Sequence, residues 1–132
     1  MSRPIVLIVD DNPTNLKLTR VTLTGEGYEV FTAGTAEEAF KTLTAYPPQL
    51  ILMDLQLPGI DGLELTRRLK SDPATKDIIV VAMTAYVMEA DEERAAKAGC
   101  DGYISKPIDT RALPGQVARY LSERPRRADT QE

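Results

Sequence analysis

The chain has 132 residues, of which 42% are hydrophobic and 27% charged, a make-up typical of one globular domain. Its net charge of -4 argues against a nucleic-acid surface, which needs a basic patch. There is no histidine and only one cysteine, so histidine-based catalysis, an internal disulfide and the commonest transition-metal ligand are excluded. Since no signal peptide or long apolar span is present, we expect a cytoplasmic protein that does not insert into membranes.

Apolar runs alternate with helix-forming segments along most of the chain. The runs lack polar alternation, which is typical of strands buried on both faces of a parallel sheet. Five strand-then-helix units of this kind predict an α/β fold with helices on both faces of the sheet. In chain order, the predicted elements are a strand over Ile5–Val9, a helix over Pro13–Gly25, a strand over Glu29–Ala33, a helix over 36–46, a strand over 50–53, a helix over 63–70, a strand over 78–83, a helix over 88–98, a strand over Gly102–Ser105 and a last helix that extends to about residue 121.

Capping residues and prolines set several of the predicted boundaries. Asn12 is the expected N-cap of the first helix, because its side chain can accept a hydrogen bond from a free backbone N–H. Asp109 is expected to cap the last helix, but Pro114 would remove a backbone hydrogen bond early in it, so we predict a late start or a kink. Beyond the last helix the composition becomes polar. We therefore assign residues 1–122 to one domain and 123–132 to a solvated tail.

The first and last helices differ in how clearly they define a buried face. In the first helix Leu16 and Leu23 point one way, whereas Leu18 and Val21 point another. The helical period alone does not decide which pair faces the core. In the last helix the spacing is regular and predicts one apolar face, formed by Leu113, Val117, Tyr120 and Leu121.

Polar side chains follow four of the five predicted strands directly. The carboxyl ends of parallel strands lie at one edge of the sheet, and open α/β sheets bind their ligands there. Each residue alone would be explained as a cap, a turn former or a solvated side chain. Their joint placement at one edge indicates a functional site, formed by Asp10 and Asp11 after the first strand, Asp54 after the third, Thr84 after the fourth and Lys106 after the fifth.

The three aspartates predict a cation at this edge, because carboxylates about 4 Å apart repel by about 4 kcal/mol per pair at an effective dielectric constant of about 20. Hard oxygen ligands without histidine favour Mg²⁺ over zinc or copper. An aspartate beside such an ion can attack phosphorus as a nucleophile. Thr84 could then donate a hydrogen bond, and Lys106 supply a positive charge, to the remaining phosphoryl oxygens.

The motifs at these strand ends resemble those of one protein family. In order, the chain contains LIVDD, LILMDLQLPGIDG, VVAMTAY and GYISKPI. Together they are similar to the receiver domain of bacterial two-component response regulators, and the similarity runs from about Ile5 to Leu121. The resemblance implies a flavodoxin-like fold, a (βα)5 three-layer sandwich whose five parallel strands have the order 2-1-3-4-5.

The resemblance also implies roles for the acidic residues. Asp54 would be the phosphoacceptor, and its phosphoryl group would come from a phosphohistidine on a histidine kinase or a histidine phosphotransfer protein. Asp11, Asp54 and the backbone carbonyl of Gln56 would bind Mg²⁺ directly, while Asp10 would act mainly through a bound water. Such a phosphoprotein catalyses only its own phosphorylation and dephosphorylation, so we do not expect an enzyme that acts on a separate substrate.

A conformational switch is part of the same resemblance. Thr84 and Lys106 would contact the phosphoryl oxygens, and the peptide bond between Lys106 and Pro107 would be cis. In the family, the threonine moves toward the phosphoryl group and an aromatic residue on the fifth strand turns inward; Tyr103 matches that position. The change would remodel the surface of the fourth helix, fifth strand and fifth helix, and so signal to a partner protein.

One longer segment resembles a narrower group within the family. The sequence MTAYVMEADEERAAKAGCDGYISKPI is most similar to the single-domain cell-division regulators of alphaproteobacteria, which act on histidine kinases and their adaptors. We therefore expect a stand-alone receiver that signals by contact with a downstream protein, such as a kinase or an adaptor. Met1 lies just before the first strand and favours a natural start, the alternative being a receiver excised from a longer chain.

Two other classes of protein share part of this pattern. A haloacid-dehalogenase-type phosphatase also uses an aspartate nucleophile with Mg²⁺, but it needs a second aspartate two residues on, where this chain has Gln56. A flavin-binding electron carrier shares the fold, yet Asp10 and Asp11 stand where its phosphate loop would be and would repel a phosphate. Turnover of a phosphatase substrate, abolished in Asp54→Asn, would favour the first class, and a coloured purified protein the second.

Overall fold

The computed structural model describes residues 3–55, 62–84, 89–106 and 108–122, with the backbone alone at 89–92. Within these residues all the predicted strands and helices are present. No helix in this part of the chain is long and apolar enough to cross a membrane. The elements are β1 (Ile5–Val9), α1 (Pro13–Gly25), β2 (Glu29–Ala33), α2 (Ala36–Ala45), β3 (Leu50–Asp54), α3 (Gly62–Ser71), β4 (Ile79–Thr84), α4 (Glu89–Ala98), β5 (Gly102–Ser105) and α5 (Leu113–Ser122).

Across the described residues, the strands form one parallel sheet in the order β2-β1-β3-β4-β5. The predicted flavodoxin-like fold is therefore confirmed. β3 and β4 are buried along their whole length, as their continuous apolar runs predicted. β1 lies between β2 and β3, with Val9 beside Ala33 on one side and Met53 on the other. The order of the strands reverses at β1, and this switch point places the ends of β1 and β3 next to each other.

Side chains alternate between the two faces of the sheet, so each face has its own core. On one face, Leu7 and Val9 pack with buried residues of α2 and α3. On the other, Val6 and Ile8 pack with residues of α1 and α5. Burial of one such aliphatic side chain contributes about 1.5–3 kcal/mol to stability. The two cores therefore hold the strand ends, and the side chains that follow them, in fixed relative positions.

Tertiary packing decides the orientation of α1. Leu23 is fully buried and Leu16 packs against the same core. Leu18 and Val21 are 41% and 56% exposed, so the second apolar face points to solvent. At the start of the helix, Asn12 is the N-cap as predicted, and its side-chain oxygen accepts a hydrogen bond from the backbone N–H of Asn15 over 3.1 Å.

The late start predicted for α5 is confirmed. The helix begins at Leu113, so Pro114 lies in its first turn, where its missing N–H costs no helical hydrogen bond. A turn precedes the helix, in which the Asp109 side chain accepts a hydrogen bond from the backbone N–H of Arg111 over 2.9 Å. Asp109 Oδ1 also accepts from the backbone N–H of Ala112 over 3.4 Å, so its side chain caps the turn that leads directly into α5.

Several predicted features lie outside the described residues. They include the start of the fourth helix at residue 88, the carbonyl of Gln56, the cis peptide bond at Pro107 and the tail over 123–132. These remain predictions from the sequence. The division of the chain into residues 1–122 and 123–132 is likewise a proposal.

Cys100 lies between α4 and β5. It packs against the core that Leu7 and Val9 form with α2 and α3, and against a smaller cluster that contains Leu63 of α3 and Ala95 of α4. Burial raises the pKa of its thiol to about 11, an effect that the weak hydrogen bond from Sγ to Thr66 Oγ1 at 3.9 Å only partly offsets. The thiolate is the reactive form of cysteine, so a raised pKa makes the thiol inert at neutral pH.

We expect iodoacetamide to alkylate the folded protein at pH 8 about a hundredfold more slowly than the urea-unfolded protein, because burial raises the pKa of the thiol from its ordinary value of 9.0 to about 11. The rate is followed by intact-mass analysis. In the folded protein it should rise with pH up to about 11, the pKa at which the Cys100 thiol ionises. Equal rates for the folded and unfolded protein at pH 8 would contradict the burial of this thiol.

Candidate functional site

Two buried aspartates stand at the ends of neighbouring central strands. Asp10 follows β1 directly and is 1% exposed, and Asp54 is the last residue of β3 and is 3% exposed. The Asp10 backbone N–H donates to the carbonyl of Ala33, and its side-chain Oδ1 accepts from the backbone N–H of Asn12 over 2.9 Å. These two hydrogen bonds fix the backbone before and after the Asp10 side chain.

The structure brings the three predicted acidic residues together. Asp10, Asp11 and Asp54 each offer a carboxylate oxygen, and the three oxygens all lie within 4.8 Å of one another. Asp11 is exposed, whereas the other two are buried, so the cluster opens to solvent on the Asp11 side. Three carboxylates at this spacing could hold a metal ion, and hard oxygen donors of this kind suit Mg²⁺.

Lys106 brings a positive charge to the buried aspartates. Its Nζ lies 3.1 Å from Asp10 Oδ2 and 3.4 Å from Asp54 Oδ2, and its side chain is 16% exposed. The contact with Asp10 has the distance of an ion pair without the geometry of a hydrogen bond. Asp10 Oδ2 consequently has no hydrogen-bond partner among the described residues although it is buried. A buried oxygen of this kind is suited to a further ligand.

Thr84 and Tyr103 complete the set of predicted site residues within the described chain. Thr84 is the last residue of β4 and is 4% exposed. Its carbonyl accepts the backbone N–H of Lys106 over 2.8 Å, so the ends of β4 and β5 are joined directly behind the site. Tyr103 is half-buried on β5 and packs against the cluster that contains Leu63 and Ala95. Gln56 lies outside the described residues.

Gly62 was not among the predicted site residues, yet it determines how α3 meets Asp54. Its backbone N–H donates to the carbonyl of Leu55 over 3.3 Å. A Cβ atom at this position would collide with the Asp54 carbonyl oxygen and lie 2.9 Å from Leu55 Cα. The sequence shows Gly62 only as one of several turn residues after β3, because a close approach of two backbones leaves no local pattern.

We expect Gly62→Ala to lower the free energy of unfolding by about 1–3 kcal/mol, because the added methyl group must displace backbone next to Asp54. Gly115→Ala is the matched control, since nothing lies within 4 Å of a Cβ there and the residue is inside α5. That change should raise stability by about 0.5–1 kcal/mol. Urea denaturation measures both, and equal effects of the two variants would contradict the close approach at Gly62.

The family comparison agrees with this geometry. The model of the response regulator receiver domain matches residues 6–118. The chain belongs to the response regulator receiver domain family. Receiver domains take part in two-component signalling and are not enzymes in the classical sense.

Individual relatives support the same assignment. The chain is 42% identical over 118 residues to the polar-differentiation response regulator DivK of Brucella ovis, an alignment that covers 89% of this chain and 96% of that protein. A CheY-like response regulator receiver domain protein from Methanospirillum hungatei superposes with a TM-score of 0.85 at 32% identity, over 93% of this chain and 97% of that one.

A third similar protein was solved with a metal. It is the receiver domain of a sensor histidine kinase from Pseudomonas aeruginosa, with a magnesium ion coordinated in its active-site cleft. It superposes with a TM-score of 0.82 at 27% identity, over 92% of this chain and 99% of that one. This receiver domain is therefore similar in fold to a protein that binds magnesium in its cleft.

Proposed function

We propose that this receiver domain accepts a phosphoryl group on Asp54 from a phosphohistidine of a histidine kinase or a histidine phosphotransfer protein. The observation that carries the proposal is the position of Asp54, buried at the end of a central strand, inside a cluster of three carboxylates and 3.4 Å from the Lys106 ammonium. The relation to DivK supports a single-domain regulator of this kind. Nothing in the proposal requires a nucleic-acid or membrane surface.

The transfer step follows from the chemistry of the two groups. A carboxylate oxygen of Asp54 attacks phosphorus, the bond between phosphorus and the imidazole nitrogen breaks, and its electron pair stays on the imidazole. Lys106 is already at ion-pair distance from Asp54, so its charge can pair with the phosphoryl oxygens after transfer. Thr84, at the neighbouring strand end, supplies a hydroxyl donor to the same oxygens. The chain catalyses only its own phosphorylation and dephosphorylation.

Mg²⁺ fits the residues of the site. Asp11 and Asp54, together with the backbone carbonyl of Gln56, would hold it, and Asp10 would act mainly through a water. The buried Asp10 Oδ2, which lacks a hydrogen-bond partner in the described residues, gives such a water an acceptor. When bound, the ion offsets the negative charge of the carboxylates and of the transferred group. The magnesium-bound receiver of the Pseudomonas kinase supports this choice of metal.

Signalling would follow from a change at Thr84 and Tyr103. Movement of Thr84 toward the phosphoryl group would open space next to β4, and inward rotation of Tyr103 would fill it. The surface of α4, β5 and α5 would change as a result and be recognised by a downstream protein, such as a kinase or an adaptor. Residues 1–122 would form the receiver domain, acting in the cytoplasm of a bacterium.

Phosphotransfer from purified histidine kinases of the host tests the proposal. Each kinase is first phosphorylated with radiolabelled ATP and then mixed with this protein in the presence of Mg²⁺. We expect label to pass rapidly to the receiver from at least one kinase, directly or through a histidine phosphotransfer protein added to the mixture, and to be absent from Asp54→Asn. Failure of every donor to label the wild type, or labelling of the variant to the same extent, would contradict the proposed function.

A further inference from the structure

One side chain from α5 bonds the outer backbone groups of β5. β5 is an edge strand, and the outer backbone groups of an edge strand have no neighbouring strand to bond. The backbone N–H of Tyr103 donates to the Tyr120 hydroxyl over 3.2 Å, and this hydroxyl donates to the Tyr103 carbonyl oxygen over 3.4 Å. We call this pair of contacts the tyrosine clasp. It satisfies a donor and an acceptor that would otherwise be left open at the edge.

Gly102 provides the space for the Tyr120 ring. A Cβ atom at Gly102 would collide with that ring and lie 2.6 Å from its hydroxyl oxygen. The ring therefore lies directly on the backbone of β5. Any side chain at Gly102 would push the ring, and with it the hydroxyl, away from Tyr103. Both Gly102 and Tyr103 are therefore needed for the clasp. Tyr103 provides the backbone groups that bond the hydroxyl, and Gly102 lets the ring approach because it has no side chain.

The tyrosine clasp joins elements from opposite faces of the sheet. The Tyr103 side chain packs on the α3–α4 face, in the cluster with Ala82 and Ala95. Tyr120 packs on the other face, in the core that the sheet forms with α1 and α5. The hydroxyl bonds the backbone of Tyr103, so it restrains the position of that backbone and not the rotation of the side chain.

We infer that Tyr120 is a positioning residue of the switch, whose hydroxyl couples the Tyr103 backbone to α5 so that α5 responds to the state of the phosphorylation site. The inference rests on the proposed function, because it takes Tyr103 as the switch residue. Hydrogen bonds are directional, whereas apolar packing tolerates small displacements, so the clasp passes a shift of β5 to α5 that packing alone would absorb.

NMR shifts of backbone amides test the coupling, with Tyr120→Phe as the variant that loses the hydroxyl and keeps the ring over Gly102. Beryllofluoride with Mg²⁺ serves as the phosphoryl mimic. We expect beryllofluoride to change the amide chemical shift of Thr84, in the acceptor site, by the same amount in the wild type and the variant. The chemical-shift changes of Val117 and Leu121, in α5, should fall by about half or more in the variant, because the hydrogen bonds that pass the shift of β5 to α5 are lost.

Hydrogen exchange without beryllofluoride tests the clasp itself. The Tyr103 amide should exchange about five- to tenfold faster in Tyr120→Phe, since its hydrogen bond is lost. The Lys106 amide, which bonds the carbonyl of Thr84 over 2.8 Å, should be unchanged. Gly102→Ala displaces the ring and keeps the hydroxyl, so it should give the same pattern as Tyr120→Phe. Tyr46→Phe removes the hydroxyl of an exposed tyrosine at the end of α2 and should match the wild type.

Different results separate the inference from the proposed function. Equal shifts in α5 for the wild type and Tyr120→Phe, with Thr84 responding in both, would overturn the inference and leave the proposed function intact. Loss of the Thr84 response in the variant alone would also overturn it, because the hydroxyl would then support the acceptor site itself. A wild type in which Thr84 does not respond to beryllofluoride would overturn the proposed function and the inference together.

Discussion

Asp54→Asn is expected to abolish phosphorylation by a small phosphodonor such as acetyl phosphate. The wild type should gain the mass of one phosphoryl group when Mg²⁺ is present. The variant should gain none, because the amide of asparagine has no ionised oxygen to attack phosphorus, although it keeps the size and shape of the aspartate. Intact-mass analysis after incubation with the donor measures the gain directly.

Two controls make this result specific to Asp54. Asp72→Asn changes an exposed aspartate just beyond the last residue of α3, whose first residue lies beside Asp54. This variant should keep the full mass gain. Wild type treated with a chelator should gain little, because the carboxylate cluster would lack the cation that offsets its charge. An equal gain in Asp54→Asn, or no gain in the wild type with Mg²⁺, would remove Asp54 as the acceptor.

Lys106→Met is expected to lower the free energy of unfolding by about 3 kcal/mol when divalent cations are absent, because it leaves buried carboxylates without a compensating charge. The Lys106 Nζ lies within 3.4 Å of both Asp10 and Asp54, whose side chains are at most 5% exposed. Methionine keeps most of the length and apolar stem of the side chain. The loss therefore reports the charge and not the packing.

Saturating Mg²⁺ should restore much of this lost stability. A ligand that binds only the folded protein stabilises it by about 2.7 kcal/mol at a concentration of a hundred times its Kd. The gain should be larger in Lys106→Met than in the wild type, since the variant no longer carries a positive charge next to the carboxylate cluster. Urea denaturation with and without a chelator measures both proteins.

Lys97→Met is the control for the loss of a lysine charge, because Lys97 is exposed near the end of α4. Its stability should stay within about 0.5 kcal/mol of the wild type under both conditions. If Lys106→Met is as stable as the wild type with the chelator, the ion pairs do not contribute. If Mg²⁺ stabilises Lys106→Met and the wild type equally, the Lys106 charge does not affect binding of the ion.

The sequence by itself determined the fold and predicted which residues would form the site. Continuous apolar runs mark buried parallel strands, and the predicted strands over Ile5–Val9 and 50–53 lie in β1 and β3. Because carboxyl ends of parallel strands share one edge, the order of the strands along the chain was enough to assign residues far apart in sequence to one site. The structure places Asp10, Asp11 and Asp54 in one cluster, with Lys106 paired to two of them.

Only the tertiary structure decided which faces and backbones meet. The spacing of apolar residues in α1 allowed two buried faces, and packing against β1 and α5 selected the one with Leu16 and Leu23. The close approach of Gly62 to Asp54 and the hydroxyl bonds of Tyr120 to Tyr103 also left no mark in the sequence. These contacts join segments that are distant along the chain, whereas propensity, capping and periodicity describe neighbours only.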